Sequence, residues 1–216
     1  MSATLFRRWN AILTRIEDLA QLLVSREVFR RAQEAWGRTA ANQYLATDLA
    51  NWMANNYVAY AATAIRRIAE PPNRRWEVIS MAVLLHELAA NNQLLTRERF
   101  VAGYKRKIVR ERFANRDFDR LIGRAGARLF PRNVINKDIR RLKRAVKPVK
   151  SLVDKVIGHT QEKRFRTKVF YRDLNASIDT IAELFQKYNQ LITGSKPSLE
   201  HEHLVDVEDD RRKIWP

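Results

Sequence analysis

Residues 173–192 read DLNASIDTIAELFQKYNQLI, and the spacing of their apolar side chains decides the fold class. Leu174, Ile178, Ile181, Phe185, Tyr188 and Ile192 follow one another at alternating steps of four and three. That is the seam of a helix laid against other helices. It covers too few heptads for a free coiled coil, so the helix packs inside a bundle or across a dimer. Gly194, Ser195 and Pro197 stop it.

The same helical spacing extends upstream. Leu5, Trp9, Ile12, Leu13, Ile16, Leu19, Ala20 and Leu23 predict one amphipathic helix. A second runs from about Ala40 to Ala69 and ends at Pro71 and Pro72. One line along it reads Leu49, Trp52, Asn56, Ala59, Thr63, Arg66, a mostly apolar stripe that polar groups enter. Trp76 to Leu88 is apolar on more than one face and predicts a central helix. Thr96 is placed to cap the next helix, with Glu98 in its first turn. From Arg97 to Arg132 glycines and arginines predict short helices and loops. Pro131, Asn133 and Asn136 predict a break, followed by a short basic helix over Ile139–Val146, and Pro148 fits the first turn of another helix. No stretch alternates long enough to predict a strand. The expectation is an all-α bundle of about five to seven helices, one domain over residues 1–194, followed by an acidic tail at 195–216. Trp215, in the closing RRKIWP, is expected to dock as an anchor.

Composition supports helices, since the chain of 216 residues has only 6 Gly and 6 Pro. Cysteine is absent, which excludes disulfides and thiolate sites. Arg7, Arg8, Arg15, Glu17 and Asp18 break up the N-terminal apolar residues, so no secretory signal is expected and a cytoplasmic location is. The longest uncharged run, Leu49 to Ile65, contains three asparagines and falls short of the ~20 apolar residues of a membrane span. Charge is uneven. Residues 1–95 hold 11 Lys/Arg against 8 Asp/Glu, residues 96–172 hold 25 against 7, and residues 173–216 hold 5 against 9. The middle segment therefore makes the basic field, which attracts polyanions, nucleic acid above all.

Two clusters in that segment carry chemistry. Lys137, Arg140, Arg141, Lys143, Arg144, Lys147 and Lys150 repeat at helical neighbour spacings, with little acid between them. Such an arrangement repels itself and favours a polyanion partner, held by its backbone rather than read by its bases. Lys163 and Arg164 extend the nucleic-acid-binding set. Downstream, in VDKVIGHTQEKR (153–164), His159 lies about a right angle from the centre of the face formed by Val149, Leu152, Val153, Val156, Ile157 and Thr160. Lys155, Glu162 and Arg166 align near it. A histidine near neutral pKa can take a 2′-OH proton while fixed cations hold the phosphate, so His159, Lys155 and Arg166 are the candidate catalytic residues. The plain alternative is a histidine on a helix flank. Gly158 beside it permits close approach of another helix.

Arg66, with Arg67 adjacent, needs a carboxylate or phosphate if buried. Glu70, Glu87 and Asp173 are internal candidates. The other reading places Arg66 or Arg67 at the His159 site, with Asp154 as a further supporting residue. His86 reads as a core or interface group. His201 and His203 on the tail lack the further ligands of a metal site, and neither metal nor cofactor is expected. Phosphate loops, HExxH and nucleophile elbows are absent.

VDKVIGHTQEKR resembles the DK-x-x-AH segment of abortive-infection-type, AbiU2-like members of the HEPN superfamily. AIRRIAE (64–70), VISMAVLLHEL (78–88), LTRERFVAGY (95–104), DLNASIDTIAELFQKYNQLI and the terminal IWP are similar in texture to that group. The resemblance implies a helical bundle, commonly dimeric, and in many members a ribonuclease that uses no metal. Their active motif is an arginine, then four to six intervening residues, then a histidine. Here the histidine is His159, whereas the arginine window holds Leu152, Val153 and Asp154, and Lys155 is the nearest cation. A toxin subgroup has tyrosine where this chain has Gln161. Two functions follow as expectations. One is a nucleic-acid-binding, metal-independent endoribonuclease of phage-defence or toxin type. The other is an inactive module of the same fold that scaffolds RNA or a cognate partner protein.

Overall fold

The computed structural model describes residues 2–38, 43–73, 75, 77–105, 111–154 and 170–194. Among them lie eight α-helices and one 3-10 turn, and a lone antiparallel bridge between Thr96 and Leu129 replaces any strand. The helices are α1 (Ser2–Arg15), α2 (Glu17–Arg38), α3 (Gln43–Ile68), α4 (Met81–Ala90), α5 (Arg97–Lys105), α6 (Glu111–Ile122), α7 (Arg132–Leu152) and α8 (Tyr171–Thr193). Only Ile16 separates α1 from α2, so these form seven helical runs, as the all-α reading expects. No described helix is long and apolar enough to cross a membrane.

Two units emerge, each from interleaved segments. The first comprises Met1–Ile16, Ile68–Ala145 and Asp179–Pro197. In it α4 is the most buried helix, with Met81, Leu84, Leu85 and Leu88 fully enclosed. Ser80 caps α4: its Oγ accepts from the Val83 N–H at 3.1 Å and donates to the Glu70 carbonyl at 2.5 Å. α1 packs on α4, and Glu87 accepts from Trp9 Nε1 at 3.1 Å and Arg8 Nε at 2.8 Å. Thr96 caps α5 as expected, its hydroxyl accepting from the Arg99 N–H at 3.2 Å. Phe100, Phe118, Phe130 and Tyr188 then form a chain of ring contacts through the core. Gly194 ends α8 at φ +69, a conformation that glycine reaches without strain.

The second unit comprises Glu17–Arg67, Val146–Ile178 and Ser198–Pro216. Phe29 stacks on Tyr57 with 4.4 Å between ring centroids and touches Tyr171 at 5.3 Å. Around them Leu19, Leu22, Ala61, Ala62, Ile65, Val149, Val153, Leu174 and Ile178 are buried. Burial pushes the Tyr57 hydroxyl up to about 12.

Several elements depart from the sequence reading: Ile16 interrupts the first helix, and α4 starts at Met81 rather than Trp76. On α3 the line from Leu49 to Arg66 is the outer side: Leu49 is 44% and Trp52 63% exposed, and Asn56 and Thr63 are exposed too. The inner side consists of Tyr57, Ile65, Ile68 and a run of alanines, which bury by allowing close approach. Asn56 is therefore no intruder in a core. On α7, the expected short helix over Ile139–Val146 and fresh start at Pro148 are replaced by one helix of 21 residues with Pro148 inside it. Pro131, not Asn133 or Asn136, makes the break, and both asparagines are helical. An internal proline costs roughly 3 kcal/mol through its missing N–H and its clash with the turn before it. Burial of Val146, Val149 and Val153 around it, at roughly 1.5–3 kcal/mol per side chain, offsets that.

Candidate nucleic-acid interface

The apolar residues of α7 recur at helical spacing. Ile135, Ile139, Leu142, Val146 and Val149 are buried, and the positions between them point outward. Those outward positions are almost all cationic. Lys137, Arg140, Arg141, Lys143 and Arg144 are exposed on the part of α7 in the first unit, and Lys147 and Lys150 on the part in the second. Among the described residues, Arg141 alone of these seven has an ion-pair partner, Glu183.

The single acid of α7 faces inward. Asp138 is 7% exposed and accepts from Tyr188 Oη at 2.8 Å and Lys187 Nζ at 2.6 Å. A buried carboxylate needs such partners, and both come from α8. Burial, together with the neighbouring carboxylate, drives the Tyr188 pKa well upward. Asp138 therefore neutralises none of the outer cations. His86, half-buried on α4, has its pKa lowered by burial and by the charge of Lys143.

Arg66 and Arg67 each pair with a carboxylate inside the second unit. Arg66 Nε donates to Asp154 Oδ1 at 2.8 Å, and Arg67 Nε lies 3.4 Å from Asp18 Oδ2. Glu87 instead serves Arg8 and Trp9. Asp173 caps α8 by accepting from the Phe170 N–H at 2.8 Å. Arg66 is only half-buried, so no charge is stranded in the core. It reaches the chain five residues before His159, at the carboxylate named above as a supporting residue.

Residues 38–215 match the HEPN family model described as AbiU2. The chain belongs to the AbiU2 family of HEPN proteins. No curated protein matches it, and no solved structure does. The AbiU2 match takes in every helix from α3 to α8 and begins at the last residue of α2.

In this AbiU2-family chain His159, Lys155 and Arg166, with Lys163 and Arg164, lie outside the described residues, as do His201 and His203. A further basic feature escaped the sequence reading. Arg112, Arg116, Arg120, Arg124, Arg128 and Arg132 recur at every fourth position, and all six are exposed. The signal was the spacing itself, hidden because the six span a helix, a loop and the start of another helix.

Proposed function

We propose that this AbiU2-family protein binds RNA through its phosphate backbone along the outer side of α7, in an abortive-infection role. One observation carries the reading: the outward positions of α7 are almost all cations, and the one acid of the helix is buried against Lys187 and Tyr188. Like charges three and four residues apart destabilise a helix left bare, and a phosphate chain relieves them. The test is affinity for mixed-sequence RNA at rising salt, with wild type and the Arg140→Glu/Arg144→Glu variant. Affinity falls steeply with salt and is weaker in the variant. Binding that ignores both salt and charge reversal would sink the proposal.

A second reading adds catalysis, and the Arg66–Asp154 pair favours it. Asp154 stands where the HEPN motif carries its arginine, and Arg66 brings a guanidinium to it from α3. In this reading His159 takes the proton of a 2′-OH, while Lys155, Arg166 and Arg66 stabilise the charge gathering on the phosphate. RNA incubated in EDTA with wild type and His159→Ala decides. Cleavage lost in the variant supports it. Equal cleavage by both, or none by either, leaves a binding module that scaffolds RNA or a partner protein.

A further inference from the structure

Five of the six arginines, Arg112 to Arg128, lie on α6 and the loop after it, and Arg132 opens α7. Arg112, Arg116 and Arg120 belong to α6, where each step of four advances about 6 Å along the axis and winds only slightly around it. That advance is similar to the distance between successive phosphates in an extended single strand. The opposite side of α6 is buried through Ala114 and Phe118.

Two of the three carboxylates of α6 have partners outside this row. Asp119 is bound by Arg97 and accepts from the Gly126 N–H at 3.0 Å, and Arg97 holds its carboxyl below the usual range. Asp117 accepts from Tyr104 Oη at 3.1 Å and Gln190 Nε2 at 3.3 Å, and also pairs with Arg120 at 3.5 Å.

The loop after α6 is fixed in place. Arg97 donates from Nε to the Ala127 carbonyl at 2.9 Å and from its backbone N–H to the Arg128 carbonyl at 2.9 Å. The Phe130 N–H closes the bridge on the Leu95 carbonyl at 2.9 Å. Gly123 and Gly126 adopt positive φ, which lets the loop turn tightly. Arg124 and Arg128 are thus presented from a held loop rather than a loose one.

An aromatic ring completes the surface. Phe113 is 46% exposed on α6, and the Arg116 guanidinium lies 5.5 Å from its centroid. An exposed ring among arginines is what a protein needs to stack an unpaired base while holding its phosphates. In a duplex the base faces are hidden within the stack, and such a ring finds no partner. α7 contains no aromatic residue at all.

We propose that α6 and the loop following it form a site for single-stranded RNA, separate from the outer side of α7. Arg112, Arg116 and Arg120 pair with successive phosphates, Phe113 stacks on a base, and Arg124 and Arg128 continue the path. The proposal shares with the function above only the class of polymer, and it stands or falls independently of α7.

The test measures affinity of the full chain for two probes. One is a short unstructured 2′-O-methyl oligoribonucleotide, which chemistry at a 2′-OH cannot consume. The other is the same strand annealed to its complement. Phe113→Ala weakens single-strand binding roughly 5- to 150-fold and leaves duplex binding unchanged, while Phe113→Tyr behaves as wild type. Arg112→Gln and Arg116→Gln each flatten the single-strand salt dependence by about 0.7 in log–log slope. An unshifted thermal midpoint in these exposed-site variants shows the fold intact. Equal loss on both probes, no loss on either, or no single-strand binding by wild type overturns the proposal. The Arg140→Glu/Arg144→Glu variant on the same probes keeps the two sites apart. If it binds like wild type while Phe113→Ala fails, the α7 reading falls and this one stands.

Discussion

Arg66 on α3 and Asp154, just beyond the end of α7, are 88 residues apart in sequence and meet at 2.8 Å. Their side chains are 36% and 41% exposed, so the pair contributes at most about 1 kcal/mol to stability. Its interest is positional: it sets a guanidinium beside the segment that leads to His159.

Arg66→Ala therefore separates position from stability. In the catalytic reading, the thermal midpoint falls by about 2–4 °C while RNA cleavage in EDTA drops toward that of His159→Ala. Arg66→Lys keeps the charge without the planar fork and gives an intermediate rate. A large fall in the midpoint would show instead that the pair holds the fold together.

Asp138 makes a sharper stability prediction. Asp138→Ala leaves a buried hydroxyl and a largely buried ammonium without their acceptor, at a cost of about 3–5 kcal/mol. Tyr188→Phe removes one donor while Lys187 still serves the carboxylate, and costs about 1 kcal/mol. Urea unfolding measures both, and near-equal effects would refute a role for Asp138 as the shared acceptor.

His86 predicts how stability depends on pH. Its folded pKa lies below the ordinary value of 6.5 because of burial and then Lys143. Between the two values the unfolded chain binds more protons, so lowering the pH favours unfolding. The loss begins as pH falls through about 6.5 and levels off below the folded pKa. Thermal scans from neutral to mildly acidic pH follow it, and His86→Gln flattens this part of the profile. An unchanged profile in His86→Gln would assign the loss to other groups.

Within α7 the cations differ. Arg141 is already engaged by Glu183, so Arg141→Ala weakens RNA binding less than Arg140→Ala or Arg144→Ala. Each lost phosphate contact also flattens the salt dependence by about 0.7–0.9 in log–log slope. Titrations at several salt concentrations give both quantities, and identical effects at the three sites would contradict the geometry.

Periodicity made much of this legible. The seam of residues 173–192, the apolar α4 and the Thr96 cap are local patterns, and each has one solution in a helix. Local pattern fails where packing outweighs propensity. Pro148 reads as a helix start, yet buried valines on either side carry the helix through it. Trp52 reads as core because it is large and apolar, whereas α3 buries its alanines. The Arg66–Asp154 pair lies beyond any periodicity, since the two residues meet only once the chain has folded. The arginines from 112 to 132 were in plain view, but a period of four does not suggest one surface until the loop between two helices is seen to be held.

The cations of α7 also govern how the protein meets its surroundings. With no polyanion bound, dissolved salt is what quiets their mutual repulsion, so added salt raises the thermal midpoint of the empty protein. With RNA bound the same ions compete for the same charges and loosen the complex. One reagent thus strengthens the unladen molecule and weakens the laden one. Under the proposed function, RNA in dilute buffer would be part of what keeps the chain folded.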